Sequence, residues 1–234
     1  MEDIYSIYWI IFIVLMALSL IVSQMLNSKF KKYSKEPLRS GFTGREIAEK
    51  MLQDNAIYDV KVISTKGHLT DHYNPVTKTV NLSESVFNSN SVAAAAVAAH
   101  ECGHAVQHAT NYKWLKMRSR MVPVVQFGTN WSRWLLLIGL LLLGISYYVG
   151  MWMVYIGVGL FAISTIFAFI TLPVEYNASS RALKWLEATG ITSGAEATHA
   201  QDALKWAART YVVSAITSLA TLLYYILLIF GRRN

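Results

Sequence analysis

The chain has 234 residues, of which 54% are hydrophobic and only 15% charged, with seven Trp and thirteen Tyr. That composition excludes an ordinary soluble globular protein. A formal net charge of +7 is not a nucleic-acid signal here, because the basic residues cluster beside apolar segments, where anionic headgroups are the simpler partner. The lone cysteine, Cys102, excludes an internal disulfide.

The first element, Ile4 to Leu26, is long enough to cross a bilayer. It has no basic residue ahead of it, its apolar run is too long for a signal peptide, and it shows no clear cleavage site, so it reads as a retained anchor. Lys29, Lys31, Lys32, Lys35 and Arg39 follow directly. The positive-inside rule then puts the N-terminus outside and residues 27–133 in the cytoplasm. Fifteen of the 21 Lys and Arg fall in that region.

Thr43-Gly-Arg-Glu46 is a capping box, opening a short helix through Met51 and Leu52. Tyr58 to Ile63 alternates as a strand does. His68 to His72 and Thr79 to Leu82 read as further strand pieces, with Asn74-Pro75 as a turn, so a small sheet or hairpin is expected. Val92 to Ala109 is a helix built of Ala, Val, Cys and Gly apart from one polar stripe. Lys113 to Val125 is basic and amphipathic, suited to a helix at the membrane surface until Pro123 interrupts it.

Three apolar segments follow. Trp134 to Tyr148, short unless residues 127–133 extend it, and Met151 to Leu172 form a pair linked at Val149-Gly150; Tyr211 to Phe230 is the last. About four spans result. They divide the chain into an anchor (1–26), a first cytoplasmic region (27–133), a membrane hairpin (134–172), a second cytoplasmic stretch (173–210) and a final span (211–234). The tail Arg232-Arg233 then lies outside, against the local charge rule, with the majority bias overriding it.

The stripe on the helix is His100, Glu101, His104, Gln107 and His108, at i, i+1, i+4, i+7 and i+8. An inverted pattern of this kind fits a polar cavity, either a buried hydrogen-bonded network or a metal site. His-Glu-x-x-His favours the second: His100 and His104 share a face and can share an ion, while Glu101 can reach a water on it. His108 lies about 12 Å along the axis from His100, too far for three histidines on one ion with bonds near 2.1 Å. Thr110 stands where a third-histidine pattern needs His. Glu175 emerges where the chain returns to the cytoplasm. Alone it reads as a solvated cap residue; beside the motif it is the best-placed third ligand of a His₂Glu site. Cys102 points off the ligand face and reads as packing.

Gly-x-Leu-Thr-Asp-His-Tyr at 67–73, Ala-Val-Ala-Ala-His-Glu-x-Gly-His-Ala-x-Gln at 96–107, and Leu-Pro-Val-Glu at 172–175 followed by Ala-Ser-x-Arg-Ala at 178–182 come in that order. Together they resemble the YugP-like family of bacterial membrane zinc metallopeptidases, from about Phe42 to Tyr211. The chain is more distantly similar to the HtpX and prenyl-protein (CAAX) zinc proteases. The resemblance implies an α-helical integral membrane protein with a small α+β catalytic region of zincin (gluzincin) type. It also implies Zn²⁺ held by His100, His104 and Glu175, with Glu101 as the catalytic carboxylate. In HtpX-like proteins an Asp follows the ligand Glu by four positions, where this chain has Ser179, and Asn177 stands where the family often has Asp. The partners of the ligand histidines are therefore left unassigned.

Peptide hydrolysis is the expected reaction, on protein or peptide substrates, in the lipid bilayer of the cell membrane and with no nucleic acid involved. Any adaptor or regulator is unnamed. His108, His72, Tyr176 and Arg181 are candidates for the group facing the developing oxyanion. A strand near the metal can pair with an extended substrate. Two alternatives stand beside this reading. A protease cutting inside the bilayer would want an Asp in a second span, and none lies between Trp134 and Tyr176. A non-catalytic zinc scaffold would want a closed, Cys-rich site.

Overall fold

The computed structural model describes residues 2–67 and 70–230, with side chains described outside 2–8 and 230. The expectations for His68, Leu69 and the Arg232-Arg233 tail lie outside the described residues. In chain order the elements are α1 (Glu2–Tyr33), α2 (Gly44–Asp54), β1 (Lys61–Thr65), β2 (His72–Asn74), β3 (Thr79–Ser83), α3 (Glu84–Phe87), α4 (Val92–Ala109), α5 (Lys113–Leu142), α6 (Tyr147–Ala188) and α7 (Ala195–Phe230). They form two compact units. One comprises Ile21–Lys116 and Pro173–Thr210; the other comprises the segment up to Leu20, Met117–Leu172 and the segment from Tyr211.

The first unit is built around α4. The capping box is present: Thr43 Oγ1 accepts from Glu46 N–H, and Glu46 Oε2 accepts from Thr43 N–H at 2.8 Å. Ile47, Ala48, Met51 and Leu52 form one buried stripe of α2 and pack into a core with Val80, Leu82, Val86, Ala182 and Leu186. The Val, Leu, Ile and Met side chains among them each contribute roughly 1.5–3 kcal/mol on burial. Small residues over most of α4 let neighbours close on it from several sides, and fourteen of its eighteen residues are buried. Its N-terminus is capped by Ser91, whose Oγ accepts from Ala94 N–H.

The sheet has the order β1-β3-β2, with β1 parallel and β2 antiparallel to β3. The strand expected over Tyr58 to Ile63 begins later, at Lys61, because pairing with Thr79 to Ser83 sets its register. The second strand in the chain, β2, likewise begins only at His72. Asn74 makes the expected turn, its Oδ1 accepting from the N–H groups of Val76 and Thr77.

In the second unit α5 and α6 approach closely. A Cβ on Gly150 would meet Gly139 O at 2.7 Å, and Ser132 Oγ donates to Gly157 O at 2.8 Å. Leu136, Val154 and Val158 are buried there, with Leu222, Tyr225 and Ile229 packed against them.

Two expectations are corrected. Pro123 lies inside α5 rather than ending it; the local cost, about 3 kcal/mol, does not stop a 30-residue helix that packs along α6. The turn between the paired segments falls at residues 143–146, not at Val149-Gly150, so Trp134 to Tyr148 is not a helix of its own.

Among the described residues, three helices are long and apolar enough to cross a membrane: Trp9–Tyr33, Tyr147–Ala188 and Ala195–Ile229. The second has 42 residues, about 63 Å at 1.5 Å each. That is roughly twice a hydrocarbon layer of ~30 Å. The helix is therefore longer than a single crossing needs, and Glu175 lies in its C-terminal part.

Candidate metal centre

α4 presents His100 and His104 one turn apart, their rings edge to face with centroids 4.8 Å apart. From α6, Glu175 Oε2 lies 3.3 Å from His100 Nε2 and 3.6 Å from His104 Nε2. Ligand atoms of all three residues lie within 4.8 Å of one another. Donors around a tetrahedral zinc with bonds near 2.1 Å stand roughly 3.4 Å apart. Two imidazole nitrogens and a carboxylate oxygen at this spacing are a donor set that can hold the ion.

The approach of the helices depends on Gly103. A Cβ there would fall 2.6 Å from Ala178 O, so any side chain would push α6 away. Glu175 lies three residues before Ala178, and Ser179 one after it, so the same contact face carries all three toward α4.

The hydrogen bonds around the cluster determine which imidazole nitrogen is free. Gln107 is fully buried, and its Nε2 donates to Val174 O at 2.8 Å and to Asn177 Oδ1 at 3.0 Å. Its Oε1 therefore faces His104 Nδ1, at 3.1 Å, and must accept. His104 carries its proton on Nδ1 and its lone pair on Nε2, toward Glu175. His100 Nδ1 lies 3.1 Å from Ser179 Oγ, which leaves its Nε2 on the same side. Arg181 Nε donates to Asn177 Oδ1 at 2.8 Å, closing a chain that runs Arg181, Asn177, Gln107, His104.

Glu101 is buried next to this cluster, and its Oε2 accepts from the backbone N–H of Tyr73 in β2 at 3.0 Å. Burial pushes its pKa up to about 7. The Tyr73 phenol meets His108 Nδ1 at 2.8 Å, and burial pushes that phenol up to about 12. His108 is thus tied to β2. His72 is exposed with its Nδ1 at 2.8 Å from Thr70 O, and Tyr176 is also exposed. Cys102 faces away from the cluster: its Sγ donates to Ala48 O in the core, and burial pushes its thiol pKa up.

Three contributors escaped the sequence reading in these roles. Gln107 was visible as a member of the stripe, three residues after His104. Ser179 was visible only as a departure from a related pattern. Tyr73 acts through its backbone at Glu101, which no side-chain pattern reveals.

A model for the family described as "Putative neutral zinc metallopeptidase" matches residues 8–230. The chain belongs to this family. It is also similar to a Bacillus subtilis (strain 168) protein described as "Putative membrane protease YugP", at 41% identity over 209 residues, 89% of this chain and 90% of the relative. No solved structure matches. Family membership bears out the resemblance drawn from the three blocks. It also makes zinc the cofactor of the family, with His100, His104 and Glu175 as a cluster able to hold it.

Proposed function

We propose that this protein is a membrane-bound zinc metalloprotease of the gluzincin type, with His100, His104 and Glu175 as ligands and Glu101 as general base. The convergence of Glu175 Oε2 on two imidazole Nε2 atoms, at 3.3 and 3.6 Å, carries the reading. Bound zinc supplies Lewis acidity, lowering the pKa of water toward about 7 and polarising the scissile carbonyl. Glu101 takes the proton from the attacking water and passes it to the departing amine nitrogen. The Tyr73 amide holds one oxygen of that carboxylate, so the proton travels on the other. Gln107 and Ser179 keep the Nδ1 atoms occupied. Among the four candidates for the oxyanion, His108 is the best supported, since it lies on the polar face of α4 one turn after His104 and is steadied by Tyr73.

The orientation follows the charge distribution: N-terminus outside, metal centre on the cytoplasmic face of a bacterial plasma membrane. Four crossings serve that arrangement, with α5 and α6 as the paired crossings and α7 returning to the outside. Peptides are the substrates.

Glu101→Gln in purified full-length protein tests the chemistry. Zinc content should stay at one per chain while peptide hydrolysis is lost; retained hydrolysis would remove Glu101 as the base. Thiol labelling of Ser64→Cys and Asn234→Cys in sealed cells, with Cys102 changed to Ala, tests the orientation. The two positions should differ in accessibility, and equal shielding would mean that the last helix does not cross.

A further inference from the structure

The centre occupies a defined position along α6. No charged residue lies between Arg133 and Glu175, and α6 is helical from Tyr147 to Ala188. Glu175 is therefore the first charge to follow that uncharged run, about 4.5 Å of rise past Leu172. Contacts from α4 and the residues after it reach the same level. Gln107 Nε2 donates to Val174 O at 2.8 Å, and the Tyr112 hydroxyl makes a longer bond to Pro173 O at 3.4 Å. Near this level the exposed side chains are aromatic and basic. Tyr176, beside Glu175, is 50% exposed, and Trp114, two residues past Tyr112, is 43% exposed. Lys113 and Lys116 flank Trp114 and are exposed too. Exposed Trp and Tyr settle among lipid headgroups, and lysines there meet lipid phosphates.

From this placement we infer the substrate class: polypeptides anchored in the same bilayer, cut in the first few residues after they leave its apolar layer. The inference rests on the proteolytic reading above and adds where the substrate must be. A scissile carbonyl has to come within bonding range of an ion held by Glu175, and Glu175 stands at the edge of the apolar layer. An extended chain covers about 3.3–3.6 Å per residue, so roughly six residues reach about 20 Å, well past a centre about 4.5 Å beyond the run, and the cut falls within them. One peptide C–N bond breaks; water gives its hydroxyl to the acyl carbon and its proton to the amine. An anchored substrate shares the enzyme's surface and gains effective concentration, whereas a free peptide must first enter the headgroup layer.

The test uses the zinc-loaded full chain in vesicles of phosphatidylcholine and phosphatidylglycerol. One probe carries an apolar span of about 20 residues followed by a hydrophilic reporter; the second is the same reporter without the span. Products are mapped by mass spectrometry against Glu101→Gln as background. The anchored probe should be cut at least about ten-fold faster, with cuts confined to roughly the first six residues after the span. Equal rates on both probes, or cuts scattered along the reporter, would overturn the inference and leave the protease reading standing. No cleavage of either probe above background would overturn both. A second measurement does not depend on turnover. A fluorophore on Lys113→Cys, with Cys102→Ala, should be quenched best by lipids spin-labelled at the headgroup. Quenching only by a water-soluble agent would place the centre away from the bilayer and overturn the inference.

Discussion

Around α4 the chain folds as water-soluble proteins do. Ile47, Met51, Leu82 and Leu186 are fully buried, and the polar stripe of the helix is satisfied by side chains from α6 and by β2. In the other unit the large apolar residues face outward: Trp9, Ile13, Leu141, Trp152 and Ile156 are all exposed. Beside a small cluster of Leu136, Val154 and Val158, its helices meet at Gly139, Gly150 and a serine bonded to a backbone carbonyl. The two regions are held by different forces. Hydrophobic burial organises the first; in the second lipid is as apolar as leucine, so close backbone approach and a few hydrogen bonds remain. Function follows this division, since two histidines and a carboxylate from different helices need a packed scaffold to keep their ligand atoms within 4.8 Å of one another.

The largest effect is expected at the metal. Glu175→Ala removes one of three donors and should leave zinc retention negligible under mild chelation, with peptide hydrolysis falling in step. Glu187→Ala, on an exposed position of the same helix, should stay near wild type. Full zinc occupancy in Glu175→Ala, read by elemental analysis, would put the third ligand elsewhere.

Packing comes next. Gly103→Ala drives a methyl into the Ala178 backbone and should lower stability by about 3 kcal/mol, at the upper end of overpacking costs, and loosen zinc binding with it. Gly159→Ala, where nothing lies within 4 Å, should change neither. Thermal melts in detergent, with and without zinc, compare the two.

Hydrogen bonding gives smaller effects. Gln107→Leu leaves His104 Nδ1 without its acceptor and should weaken zinc binding roughly 10–100-fold, while the secondary structure seen by circular dichroism is retained. Unchanged affinity in a competition titration would show that the amide does not orient the ring. In the other unit Ser132→Ala should cost only about 0.6 kcal/mol, the average for such a bond between membrane helices. A loss of several kcal/mol would mean that this unit depends on polar pairing more than its packing implies.

The helix over Val92 to Ala109, the capping box at Thr43 and the turn at Asn74 were legible because each is decided within a few residues by i, i+4 spacing or a local side-chain bond. Glu175 was nominated by its position after an apolar run. The start of β1 was misread because alternation around Val60 and Val62 suits any half-buried extended segment, and only pairing with β3 chooses the register. Pro123 was misread for a related reason: a proline's local cost is fixed, but whether a helix bears it depends on what the helix packs against.

The types of donor, the face of α4 that carries them and the apolar runs suited to lipid are all written in the order of residues along the chain. These follow from helical periodicity and side-chain chemistry, which act over single turns. The tertiary structure alone decided which nitrogen of His104 is free, that Ser179 and Gln107 support the histidines, that Tyr73 holds Glu101 through its backbone, and how closely α6 lies on α4 at Gly103. Each of those depends on distances between residues tens of positions apart, set by the packing of whole elements.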